Sequence, residues 1–196
     1  MTVAIAASTI VQQAFRFMEL RSPSSFGDDS DQADAATQQY DNALAVCLEA
    51  YDWSFASTIA ALSETILTSA ADPRLPYTFA LPDDCLVLRE VLADGAAYRA
   101  DKGALRTDQA APLTIRYTST IVDETAMPAT FRTAVALQLA VFLAPLFVEV
   151  QSKIDRLSQQ LSEAMRMAAR TDGRTASPTS YSFAGSPGDW STEATR

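Results

Sequence analysis

The spacing of apolar residues changes twice along this chain, and those two changes dictate the fold class. From residue 2 to about residue 52 the apolar side chains recur at helical spacing, from Ser54 to Ile121 they follow strand-like runs, and from Pro128 the helical spacing returns. Helical and strand segments that are segregated in this way, instead of alternating, predict an α+β fold: a mainly helical bundle with a small antiparallel sheet inserted into it.

Four helices are predicted, over residues 2–20, 32–52, 128–147 and 149–170. The first places Val3, Ala6, Ala7, Ile10, Ala14, Phe17 and Met18 on one face. A break at Ser22-Pro23-Ser24-Ser25-Phe26-Gly27 follows, and the second helix carries Ala36, Tyr40, Ala43, Leu44, Cys47 and Tyr51, with Asp29 and Gln32 as the expected N-terminal capping pair. Pro128 suits the first turn of the third helix, whose face of Phe131, Val135, Leu139, Phe142 and Leu146 runs until Pro145 forces a kink or a stop. The fourth is amphipathic, with Val150, Ile154, Leu157, Leu161, Met165 and Ala168 on its inner stripe.

Between them, residues 54–121 read as the β-region, with strands expected over 55–62, 77–81, 86–92, 98–100, 105–107 and 113–121. In the last of these Leu113, Ile115 and Tyr117 alternate with Thr114, Arg116 and Thr118, as in a strand covered on one face. Asp101-Lys102-Gly103 is a turn signal, because glycine accepts the positive φ that a tight hairpin requires.

Composition narrows the chemistry. The 196 residues are 48% hydrophobic, enough for one sizeable core and one main domain over residues 1–172. There is no histidine, which removes the usual base of Ser and Cys triads and the commonest zinc ligand together. Cys47 and Cys85 are the two thiols, with no CxxC spacing; both read as buried small hydrophobes in a reducing compartment. The start of the chain lacks a basic segment ahead of its apolar residues, so no secretion signal is expected, and the apolar run 134–148 reads as a buried helix with no membrane partner. No metal, cofactor or catalytic residue is expected.

The net charge of −9 is uneven: residues 1–148 hold 18 acidic and 9 basic side chains, and residues 149–196 hold 6 of each. An acidic body repels phosphate, so tight nonspecific DNA binding is not expected. The run Asp28, Asp29, Asp31, Asp34 has the opening spacing of a calcium loop, but Asp34 stands where such a loop needs glycine and Tyr40 where it needs glutamate. Carboxylates at the start of a helix, favoured by its dipole, explain the run better. A hydrolase would have to be built on Asp83 and Asp84, or on the run from Asp28 to Asp34; the first pair follows Pro82 and reads as exposed turn residues.

Residues 173–196 are predicted to form a flexible C-terminal tail: from Thr171 onward, 15 of 26 residues are Gly, Pro, Ser or Thr, and none is Leu, Ile, Val or Met. Tyr181, Phe183 and Trp190 are the large apolar groups in it and the candidate partner-binding residues. Trp53 and Phe55 are the candidate structural residues, closing the helices onto the sheet.

The order of these features over residues 5–172 resembles the head-to-tail adaptor, or connector, proteins of tailed bacteriophages and gene transfer agents, including the tail tubular protein A type. The resemblance rests on an N-terminal helix entering an Asp-rich linker and on a second helix ending in Trp53-Ser54-Phe55-Ala56. It continues through Tyr77 followed by Leu81-Pro82-Asp83-Asp84-Cys85-Leu86, a short hairpin, a strand carrying Ile115-Arg116-Tyr117, and an apolar helix opening Pro128-x-x-Phe131. It implies a non-enzymatic virion protein of the head-tail neck, assembled in the host bacterial cytoplasm as a ring, typically of twelve subunits. That ring would dock on the portal protein, with a stopper, tail terminator or nozzle protein below. The tail would serve as the portal-binding arm, and genomic DNA would pass through the channel without tight binding. The competing readings are a helical interaction or assembly-factor module and, more remotely, a carboxylate-based hydrolase.

Overall fold

A computed structural model of the chain describes residues 9–23, 30–63, 73–101, 103–120 and 122–175. Among these there are four α-helices: α1 (Thr9–Phe17), α2 (Asp31–Ala50), α3 (Ala129–Phe147) and α4 (Gln151–Thr175). Six strands lie between α2 and α3: β1 (Ser57–Leu62), β2 (Tyr77–Ala80), β3 (Cys85–Val91), β4 (Tyr98–Asp101), β5 (Ala104–Thr107) and β6 (Leu113–Ser119). The fold is α+β.

The most apolar helix, α3, organises the bundle. By length and composition it could cross a membrane, yet α1, α2 and α4 each pack on it. Phe131, Val135 and Leu139 are buried as the spacing predicted, and so are Ala134, Ala136, Leu137, Ala140, Leu143 and Ala144, so α3 is covered on more than one face. Leu146 is the exception: at 68% exposed it leaves the expected stripe. Pro145 neither stops nor cuts short the helix, because it sits in the last turn; the Val148 N–H still closes on the Ala144 carbonyl at 2.8 Å.

The other helices show how local chemistry fixes element ends. Ser30, not Asp29, caps α2: its Oγ accepts from the Ala33 N–H at 3.3 Å, with Asp31 and Asp34 in the first turn. Asp29 lies outside the described residues, as do residues 2–8 of the predicted first helix, Ile121 and the tail from residue 176. α1 ends at Phe17, three residues earlier than predicted. Glu19 there takes φ +62, and the Leu20 N–H closes on the Phe15 carbonyl at 2.9 Å. The inner face of α2 is Ala33, Ala36, Tyr40, Ala43, Cys47 and Leu48, while the predicted Tyr51 is 41% exposed. α4 runs to Thr175, beyond the predicted end at 170 and into the first residues assigned to the tail, while Val150, 50% exposed, precedes it instead of joining its stripe.

The predicted single sheet is two antiparallel three-stranded sheets, ordered β1-β6-β3 and β2-β5-β4. They share a second core of Leu62, Phe79, Val91, Leu105, Leu113, Ile115 and Tyr117. Short apolar runs fix strand type but carry no record of which strand pairs with which, so a one-sheet and a two-sheet arrangement read alike. The first strand also begins later than predicted, at Ser57, because Ser54–Ala56 forms a single 3-10 turn. The β4–β5 hairpin pairs Asp101 with Ala104 across two residues, with Gly103 at φ +76 as the turn signal required.

Candidate functional site

Three junctions position the surfaces this chain can offer. At the first, Trp53 is 1% exposed and donates its indole N–H to the Cys47 carbonyl at 2.8 Å, which satisfies a group at the C-terminal end of α2. Its ring lies 4.8 Å from Phe131 and 5.8 Å from Phe55, and Phe55 is itself 4.8 Å from Phe131. These separations suit edge-to-face packing. The two candidate structural residues thus lock the end of α2 against the start of α3.

The second junction ties the sheets to the bundle. β3 meets β6 with two register shifts, leaving Leu86 and Arg89 as extra residues. A bulge re-aims the side chain it carries, and both of these turn toward the helices. Leu86 packs against the helical core. The Arg89 guanidinium donates to the carbonyls of Leu48, Glu49 and Tyr51 at 3.1, 3.3 and 2.6 Å, and its Nε donates to Thr118 Oγ1 at 2.8 Å. A cation at the carbonyl end of a helix satisfies orphan acceptors and complements the dipole. Beside it, Arg116 bridges Asp52 at 2.6 Å and Glu90 at 3.3 Å, and the hydrogen bond it donates to Asp52 raises its pKa further.

The third junction fixes the end of α4. Asp172, 8% exposed, accepts from the Ser54 backbone N–H at 2.9 Å and from Ser54 Oγ at 2.7 Å. The point where the chain leaves the body toward Tyr181, Phe183 and Trp190 is therefore held beside the Trp53 corner. Those three aromatics themselves lie outside the described residues.

Asp83 and Asp84, the described pair on which a hydrolase could be built, face different surroundings. Asp83 is exposed, whereas Asp84, predicted to face water, is half-buried and accepts from Tyr117 Oη at 3.1 Å and Ser119 Oγ at 2.7 Å. Burial first, and then Asp84, raises the Tyr117 pKa. These bonds also explain why β6 departs from its predicted alternation: Thr118 and Ser119 are buried because Arg89 and Asp84 satisfy them. Among the described residues no group of three or more Cys, Asp and Glu side chains is placed to hold a metal. Cys47 is fully buried and desolvation pushes its thiol up to about 12, while Cys85 is half-buried, its pKa raised by burial and then by Asp84.

Among the described residues a groove of roughly 590 Å³ opens between three helices, lined by Val46 of α2, Tyr51 just beyond its end, Gln138 of α3, and Leu161, Met165 and Arg166 of α4. Val46 and Tyr51 are 39% and 41% exposed there, and Met167 farther along α4 is 62% exposed. The groove exists because α2 and α4 both rest on α3 without closing on each other. Sequence reasoning missed it, along with Arg89 and Asp172. Asp172 was readable as the next inner position after Ala168, four residues on; Arg89 was readable as the one basic residue in a mostly apolar strand.

Compared with known families and with curated proteins, the chain matches no family model and no curated protein.

Proposed function

We propose that this chain is a head-to-tail adaptor of a tailed bacteriophage or gene transfer agent: a structural virion protein that forms a ring between the portal and the tail-side component, and helps retain and conduct packaged DNA. The observation that carries the reading is the order of elements. Two helices end in Trp53-Ser54-Phe55-Ala56, the sheets follow with Leu81-Pro82-Asp83-Asp84-Cys85-Leu86, and an apolar central helix and an amphipathic one close the body before an aromatic-bearing tail.

Three features support it. The body carries all of the excess negative charge, which suits a channel through which DNA slides without sticking. Leu146, Val150 and Ile59 are 68%, 50% and 63% exposed, apolar area of a kind that neighbouring subunits would cover. Asp172 fixes the root of the tail, so Tyr181, Phe183 and Trp190 would be presented from a defined point, and twelve copies would turn weak contacts with portal into a stable joint.

The open groove also suits a helical interaction or assembly-factor module that acts transiently, and this is the alternative reading. Native mass spectrometry of the full chain with the portal protein that the adaptor reading requires in the same genome separates the two. The adaptor reading expects one fixed, high stoichiometry, about twelve copies per portal ring. Variable occupancy by single chains, or no association, would count against it.

A further inference from the structure

We infer that the groove between α2 and α4, together with the charged ridges on either side of it, is a self-complementary docking surface for a second copy of this chain. On α2, Asp34, Asp41 and Glu49 are exposed, seven and eight residues apart, opposite the buried Ala36, Ala43 and Cys47, and α2 contains no basic residue. A helix turns once in about 3.6 residues, so these carboxylates form one acidic ridge. On α4, Arg166, Arg170 and Arg174 are exposed at intervals of four, opposite the buried Ala168 and Asp172, and form a basic ridge along the last turns, with the exposed Glu163 one turn before it on the same face.

None of these six side chains takes part in an ion pair among the described residues, although basic and acidic groups elsewhere on the molecule do, as in Arg116 with Asp52 or Lys153 with Glu19. Helix dipoles account for Asp34, in the first turn of α2, and for Arg174, in the last turn of α4, but not for the other four. Glu49 lies in the last turn of α2, the end that disfavours an anion, and Arg166 and Arg170 lie well before the end of α4.

Within one copy the groove keeps the two ridges apart. A second copy turned over by a two-fold rotation brings each acidic ridge onto a basic one, and the match is made twice because an isologous contact repeats itself. The groove between the ridges then supplies the apolar centre, with Val46 and Tyr51 covered, and Met167 beside the arginines. Charge arrangement selects this partner and orientation more than it supplies affinity, so a weak pair in the micromolar range is expected. The pair needs no portal and does not rest on the adaptor reading.

Salt alone is a poor probe, because it screens the repulsion between two chains of net charge −9 as well as the pairing of their ridges. Charge reversal is sharper. Sedimentation velocity on the full chain should show a reversible monomer–dimer equilibrium. The triple variant Arg166→Glu, Arg170→Glu, Arg174→Glu should be monomeric, and so should Asp34→Lys, Asp41→Lys, Glu49→Lys, since each variant meets its own copy with like charges. Mixing the two variants should restore a dimer, because both contacts are then opposite in sign. All six positions are exposed, and circular dichroism checks that each variant is folded. The inference fails if the wild type stays monomeric to millimolar concentration, if reversal leaves association unchanged, or if the mixture does not pair. A chain ending at Thr175 that dimerises where the full chain does not would assign the groove to the tail instead, and would equally overturn it.

Discussion

The helical bundle and the stacked sheets of this chain reach burial by different routes. In the bundle a single helix, α3, is covered by three others, and the largest buried side chain, Trp53, is fixed by both ring packing and a hydrogen bond. The sheets enclose a much smaller core, and their described polar ties to the bundle run through Arg89 and Arg116. The lesson is that the bundle is specified by apolar volume, while the seating of the sheets upon it is specified by a few polar contacts at the end of α2. Loss of volume should therefore unfold the protein, and loss of a tie should loosen one region against the other.

The largest effect is expected from Trp53→Ala. Emptying a fully buried indole site typically costs about 3–5 kcal/mol, comparable to much of the stability of a domain this size. Thermal melting followed by circular dichroism should show a large drop in Tm or an unfolded chain. A folded variant with unchanged Tm would show that the bundle does not depend on this corner.

Arg89→Met keeps the side-chain length and removes the donors to the carbonyls of Leu48, Glu49 and Tyr51 at the end of α2, two of which also face water. Hydrogen bonds to a charged group contribute about 1.5–3 kcal/mol, and the exposed part of this set weakens the effect toward the lower figure. Hydrogen exchange should speed up in β3 and β6 before it does in α3. Uniform acceleration everywhere would mean that sheets and bundle open as one unit, which would erase the contrast.

Asp172→Ala should cost about 1–2 kcal/mol by leaving the Ser54 N–H without its acceptor. The expected signature is faster exchange confined to the last turns of α4 and to residues 53–56.

How much of this was legible in the sequence follows the same division. Helix positions were readable because Phe131, Val135, Leu139, Leu157 and Ala168 repeat at helical spacing, and that signal is local. The pairing of strands was not, since Val87 facing Thr118 and Phe79 facing Leu105 are contacts between distant segments. The exposure of Leu146 could not be read either, because it depends on where α4 turns away after Val148. Asp84 read as a turn residue, and it does sit in a turn; what the sequence hid was the pair of hydroxyls, 33 and 35 residues on, that hold it. The groove was hidden for the same reason, as it arises from how far apart two helices lie on a third.

The smallest effect is a difference in rate. With its thiol pushed up to about 12 by burial, Cys47 holds about one part in ten thousand as thiolate at pH 8, so alkylation should wait for the bundle to open. Cys85 is half-buried at a strand end, and although its pKa is also raised, it should react first. Mass spectrometry of a labelling time course should show one fast and one slow site, and Trp53→Ala or heating should accelerate the slow one. Equal rates in the native protein would contradict the buried bundle corner.

The adaptor proposal is tested most directly by asking what holds the chain to portal. Full-length chain, a chain ending at Thr175, and the variant Tyr181→Ser, Phe183→Ser, Trp190→Ser would each be mixed with the portal protein that the proposal requires in the same genome, and the bound fraction measured by co-sedimentation. The account predicts that all three are folded by circular dichroism, that the full chain binds portal at fixed stoichiometry, and that the truncated and triple-serine chains lose most of that binding. A full-length chain that does not bind portal at all would contradict the proposed function, and undiminished binding by the shortened chain would move the portal contact from the tail to the helical body.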